Sequence, residues 1–266
     1  MKFTPITSHR PECRTILKRL VIPIIIAICV FKTSVTHAGS SIAGGSGILT
    51  QSGADQLAAW LGEGDLALTD IFSHTSGDGK TSLDFHGAAD GMGRTFSVLR
   101  VTNVNGTASD LIVGGYNPHS WNSSNSTYFA NALSDRTAFL FNLSAGTKNP
   151  ERLDSGGEYQ TGNYSTSGPD FGGGDDLQVN TSLDDGYANA YSYTGQLIGG
   201  VRSISLTFSH LDVFTITPVP EPSTALLGAI GLAGILSRRF RNGRNACAPM
   251  RTGPVGSATL SAGPKP

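Results

Sequence analysis

The sequence predicts a mainly β fold, a two-layer β-sandwich with short helices, occupying the middle of the 266-residue chain. Three observations carry this. Residues 96–101, 203–208 and 211–217 alternate apolar with polar side chains, the period of a strand with one face buried. Residues 110–116 and 137–143 are more continuously apolar, as strands covered on both faces are. Clusters of Gly, Asn, Ser and Asp separate these runs and supply turn chemistry. Helical periodicity is confined to one short stretch, Gln51–Leu61, where Leu57, Ala58 and Leu61 share a face.

The chain opens differently. Lys2, Arg10, Arg14, Lys18 and Arg19 precede an apolar run over residues 20–31. Thr36, His37 and Ala38 then place small residues at the spacing a signal peptidase reads, with the cut after Ala38. A run of 12 apolar residues is short for a bilayer span, which needs about 20. Residues 1–38 are therefore expected to be a signal peptide; an uncleaved anchor is the alternative.

Removing the ends exposes the body's charge. The whole chain carries a formal charge of −1, but residues 39–220 hold seven Lys or Arg against eighteen Asp or Glu, a net of −11. Such a surface repels nucleic acid and anionic lipid, and no basic stripe supplies a phosphate-binding field. Cys13 and Cys29 lie in the leader and Cys247 near the end, so the body has no cysteine. A disulfide framework, a thiolate metal site and a cysteine nucleophile are thereby excluded from it.

Residues 120–127 and 159–169 are rich in Ser, Thr, Asn and Gly, and Asn-x-Ser/Thr triplets begin at Asn105, Asn122, Asn125, Asn142, Asn163 and Asn180. In so polar a chain the triplet specifies little. Behind the body, Val219, Pro220, Glu221 and Pro222 lead into a charge-free segment, residues 223–240 up to its arginines, and Arg238, Arg239 and Arg241 close it. That segment is expected to be a transmembrane helix with its arginines in the cytoplasm. It is marginally long, so snorkelling side chains or local bilayer thinning would accompany it. A buried helix of a soluble protein is the alternative.

Residues 219–241 resemble the PEP-CTERM sorting segment of bacteria that make exopolysaccharide. The resemblance implies a Gram-negative host, export by the Sec machinery, and recognition of Pro220, Glu221 and Pro222 by exosortase, a membrane transpeptidase-like enzyme. The protein would sit in the inner membrane until processed, then reach the cell surface or extracellular matrix. Residues 242–266 run beyond the usual short ending and form a polar cytoplasmic tail.

Residues 39–218, with a core at about 51–217, resemble the TLDc domain, best known from eukaryotic oxidation-resistance proteins. Trp60, then Phe85 and His86, begin the resemblance, and Gly114, Gly115, Tyr116 and Trp121 follow in the family's spacing. Gly168, Pro169, Phe171, Gly172, Gly173 and Asp176 stand in its glycine-rich block, and Asp212 in its terminal strand. The family's sandwich edged by helices agrees with the strand pattern. Gly114 and Gly115 would permit close backbone approach or a bulge, and the glycines after Phe171 positive φ beside a packed ring.

Chemistry-bearing residues are few. As a base His86 would pair with Asp84 or Asp90, and Ser120 adjoins His119, but neighbouring strand residues point to opposite faces and would not form a dyad. No nucleophile elbow or metalloprotease motif occurs, so no catalytic residue is assigned. No cofactor is required; the acidic pairs Asp175–Asp176 and Asp184–Asp185 are the oxygen clusters that would hold Ca2+, although their spacing is not that of an EF-hand. Tyr116, Trp121, Tyr128, Tyr159 and Tyr164 are the aromatics that could stack on a sugar, with Trp60 and Trp121 better suited to the core. The expected function is a non-catalytic surface or matrix protein associated with exopolysaccharide or envelope components. A hydrolase using Asp84, Asp90, Asp175 or Asp176 is one alternative, and an oxidative-stress protein binding a protein partner is another.

Overall fold

A computed structural model describes residues 39–199, 203–219 and 231–232. Contacts divide the chain into two units, and everything below concerns the unit Thr36–Glu221. The leader, the segment beyond Val219 and the tail lie outside the described residues, apart from a helical pair at 231–232. Among the described residues no helix is long and apolar enough to cross a membrane.

In chain order the elements are β1 (Ser41–Ala43), α1 (Gln51–Leu61), β2 (Leu66–Thr75), α2 (Ser82–Ala89), β3 (Thr95–Val104), β4 (Thr107–Asn117) and β5 (Thr127–Ala130). Then follow β6 (Phe139–Asn142), β7 (Thr147–Pro150), β8 (Tyr159–Asn163), β9 (Asp170–Phe171), β10 (Leu177–Val179), β11 (Asp185–Ala188) and β12 (Ile204–Pro218). The fold is mainly β, as expected. All pairs are antiparallel except β1 with β2.

Where two layers were expected, hydrogen bonding joins all twelve strands into one sheet, in the order β5-β8-β9-β10-β11-β12-β3-β4-β6-β7, with β2 and β1 branching from β12. That sheet folds back on itself. β9 stands five strands from β4, about 24 Å in a flat sheet. Yet a Cβ placed on Gly115 of β4 would lie 2.5 Å from the ring of Phe171 in β9. The interior between the folded halves holds Leu99, Val101, Trp121, Phe171, Leu177 and Phe208. A second cluster, with Leu57, Phe96, Val98, Phe139, Phe141 and Phe214, covers the other face of β3 beneath α1.

The long strand β12 is where sequence and structure part. The two alternating runs 203–208 and 211–217 are one strand, with register shifts against β3 around Phe208 and His210. Ile204, Leu206 and Phe208 face the interior on even positions; Leu211 and Val213 face it on odd ones. A bulge inserts the extra residue and flips the parity. A shift opposite Val213 and Phe214 does the same to β2, sending Leu66 and Leu68 to one cluster and Phe72 to the other.

Helix α1 spans the residues its periodicity marks. Thr50 caps it by accepting from the Gly53 N–H at 3.2 Å, and Gly62, at φ 78°, ends it with its N–H on the Ala58 carbonyl. Helix α2 was not foreseen. The Asp84 carboxylate accepts from the Thr81 N–H at 2.8 Å and the Thr81 hydroxyl at 3.1 Å, fixing its first turn.

Candidate functional site

The site grows from the end of α2. His86 is buried there, its Nδ1 2.7 Å from Asp90 Oδ1 and its Nε2 3.0 Å from both the Tyr164 and Ser167 carbonyls. Every group around the ring, two carbonyls and a carboxylate, is an acceptor. The other Asp90 oxygen accepts from the Ser123 N–H at 2.8 Å and the Ser123 hydroxyl at 2.6 Å. Burial works against the Asp90 charge, but Ser123 and His86 together hold its carboxyl below the usual range. His86 thus pairs with Asp90, while Asp84 serves the helix cap.

Beside this clamp opens a cleft of about 540 Å3, lined by Asp90, Gly91, Ser124, Asn125, Phe129, Asn163 and the whole stretch 119–122. Its floor is rigid. Trp121 is fully buried, its Nε1–H donates to Thr95 Oγ1 at 3.0 Å, and its ring meets Phe85 and Phe171 edge-on at 5.5 and 5.3 Å. One wall carries the His119 ring, 4.4 Å from that of Phe129. His119 Nε2 is buried without a hydrogen-bond partner. The other wall is amide and hydroxyl: Asn163 Oδ1 accepts from the Asn122 N–H at 3.2 Å, and Asn122 Oδ1 from the Ser124 hydroxyl at 2.8 Å. Ser120 and His119 follow β4 rather than lying in a strand; the Ser120 hydroxyl accepts from the Gly93 N–H at 2.8 Å.

Several acids that attracted attention are structural. Asp176 is buried and accepts from the backbone N–H groups of Tyr191 and Tyr193, the latter at 2.7 Å. Asp175 accepts from the Tyr128 hydroxyl at 3.1 Å, and Asp185 from Asn180 Nδ2 at 2.6 Å. Asp184 joins Asp78 around His74, whose ring nitrogens lie 3.0 and 2.7 Å from them. Burial opposes the Asp78 charge, but the N–H groups of Lys80 and Thr75 and the His74 ring bring its carboxyl down to about 2. Among the described residues no group of three or more His, Cys, Asp or Glu is arranged to hold a metal ion.

Two acids went unmarked in the sequence. Asp170 is wholly buried, with Oδ1 unpartnered and Oδ2 only 3.4 Å from Gln178 Nε2; burial and the charges of Asp175 and Asp176 push it up to about 8. Glu151 accepts from the Ala138 N–H through one oxygen, leaves the other unpartnered, and is pushed by burial up to about 7. Asp170 lies against the backbone of β8, where a Cβ on Gly162 would stand 2.2 Å from its carboxylate, a contact between strands that leaves no local mark in the sequence. Nothing near Glu151 in the sequence marks it. His74 was likewise missed.

Of the aromatics considered for sugar stacking, Tyr116 and Trp121 belong to the interior, since both are buried. Tyr128 gathers Tyr159 and Tyr164 at 5.8 and 5.4 Å, and Trp60 is half-buried against Phe141 at 6.3 Å. The paired glycines separate two rings: a Cβ on Gly114 would meet Phe141 at 2.5 Å, one on Gly115 would meet Phe171 at the same distance. Gly172 follows Phe171 at φ 85°, Gly173 abuts Tyr159, and Gly168, before Pro169, packs on Leu183 and Val179. Asp212 is buried and accepts from the Ser46 hydroxyl at 2.6 Å and the Gly47 N–H at 3.1 Å, tying the β1–α1 connection to β12. Asn142 and Asn163, two of the triplet asparagines, are buried.

Residues 42–212 match the TLDc domain and residues 218–242 the PEP-CTERM protein-sorting motif. A motif of that kind implies export and exosortase processing, with membrane attachment before the cut. No curated protein matches the chain. With well over half its length inside the first match, the chain belongs to the TLDc domain family and bears a PEP-CTERM sorting motif immediately behind that domain.

Proposed function

We propose that the mature protein is a non-catalytic surface or matrix component that holds extracellular polysaccharide in the cleft beside Asp90. The observation that carries this reading is the chemistry of the lining. Amides and hydroxyls from Asn122, Ser124, Asn125 and Asn163 line it together with a half-buried aromatic pair, Phe129 with His119. A pyranose ring offers hydroxyls to the first and C–H faces to the second. Asp90 is the one carboxylate in the lining, and both its oxygens are already engaged. Glycoside hydrolysis by paired carboxylates needs a second one within about 5–10 Å across the bond. The rigid Trp121 floor supports binding without rearrangement.

The body's excess of acid suits a hydrated matrix, where cations would bridge it to acidic chains. The test is incubation of the processed chain with the host's purified exopolysaccharide, measuring retention and new reducing ends together. Retention without new ends is the expected result, weakened about fivefold or more by Phe129→Ala, since ring stacking contributes of the order of 1 kcal/mol or more. New reducing ends would replace this reading with a hydrolase. Absence of retention would replace it with a protein-partner role.

A further inference from the structure

The expected signal-peptidase cut after Ala38 makes Gly39 the first residue of the mature chain. The Gly39 nitrogen lies 3.1 Å from Asp65 Oδ2. The next N–H, that of Ser40, donates to Asp55 Oδ1 at 3.0 Å. Ser40 is itself buried: its hydroxyl accepts from the Leu66 N–H at 3.1 Å and its carbonyl from Gln51 Nε2 at 2.5 Å. Four bonds to α1 and the start of β2 therefore fix residues 39 and 40 before β1 begins. A Cβ on Gly39 would stand 3.8 Å from Asp55 Oδ1, so both carboxylates border this residue. Asp65 also holds the opposite end of the domain, its carbonyl accepting from the Val219 N–H at 2.8 Å. Val219 is the residue before Pro220, within the sorting motif.

In the precursor the Gly39 nitrogen is a neutral amide with one hydrogen. Hydrolysis of the Ala38–Gly39 bond places the hydroxyl of water on the Ala38 carbonyl carbon and a proton on the Gly39 nitrogen, which takes a second proton from solvent. The product is an ammonium with three donors and a positive charge. It forms where two carboxylates already converge. We propose that Asp65 and Asp55 are a receptor for the chain's own N-terminal ammonium, so that signal removal strengthens a clasp joining the first mature residue to the point where the sorting segment leaves the domain. The proposal rests on the export reading. A charge-assisted bond exceeds the neutral one it replaces, and partial exposure of the acids tempers the gain.

The test uses the full mature chain, purified in detergent from cells that lack exosortase, with its N-terminal mass determined. Its α-amine is then selectively acetylated, in the wild-type chain and in Asp65→Asn. Unfolding in urea is followed by tryptophan fluorescence, and amide exchange is measured at residues 41–43 and at Thr217 and Val219. Acetylation is expected to raise the unfolding constant of the wild-type chain about three- to tenfold. It should speed exchange at both ends of the clasp in the wild-type chain and have a distinctly smaller effect in Asp65→Asn, where Asp55 alone remains. An unaltered wild-type chain, or an equal effect in Asp65→Asn, would overturn the receptor alone. A chain that does not begin at Gly39 would overturn it at its premise, together with the predicted cut.

Discussion

Single residues in this domain are set by close approach and by unbalanced burial. Gly115 is the clearest case of the first, because the Phe171 ring occupies the space of a Cβ at 2.5 Å. Gly115→Ala should cost roughly 1–3 kcal/mol through overpacking, read as a lowered urea midpoint with unchanged slope. Asp170 and Glu151 illustrate the second. Both are held above their ordinary range, to about 8 and about 7, so the folded state keeps protons that the unfolded chain releases above pH about 4. Stability therefore falls as pH rises from about 4 through 8. Asp170→Asn should flatten that decline, and a decline identical to wild type would show that Asp170 is not its source. Asp78 works in the opposite sense: its carboxyl, held down to about 2, contributes stability that is lost only as pH falls from about 4 toward 2. At this scale the sequence was legible for the packed glycines, whose spacing signals backbone contact. It was opaque for Asp170 and Glu151, since a carboxylate becomes buried through what distant strands place around it.

Elements were legible where local chemistry is complete. Helix α1 carries its own periodicity, its Thr50 cap and its Gly62 terminator, and the chain folds there as those signals state. Helix α2 is eight residues long, with its apolar contacts split between Phe72 and Trp121 around Phe85. Too little chain is present for a period to emerge, and the Thr81–Asp84 pair alone marks its start. Asp84→Ala should cost about 0.5–2 kcal/mol and raise proteolysis near residues 81–90, while leaving the cleft chemistry in place. The strand β12 was divided in two by a bulge that reverses its alternation, a feature fixed by pairing with β3 and invisible to a window moving along one strand. The backfolding of one sheet into two apposed halves was equally out of reach, because it depends on β12 pairing with β11 early in its length and β2 later.

At the scale of the whole molecule, one folded sheet carries a rigid, open cleft at the end of α2, and the sorting motif begins as the central strand ends. The cleft drew together Asp90 with its partner His86, and His119, Ser120 and Trp121, singled out for separate reasons, with Asn163, noted only as a triplet asparagine, and Phe129, which was unmarked. Sequence distance hid the second pair: Asn163 reaches Asn122 across 41 positions through the β5–β8 pairing. On the proposed reading, polysaccharide occupies this cleft without being cut. Amide hydrogen exchange of the processed chain, with and without fragments of the host exopolysaccharide, tests it most directly. The account predicts slowed exchange across residues 119–129 and at Asn163, with fragment length unchanged; protection confined to another surface, or shortened fragments, would contradict it.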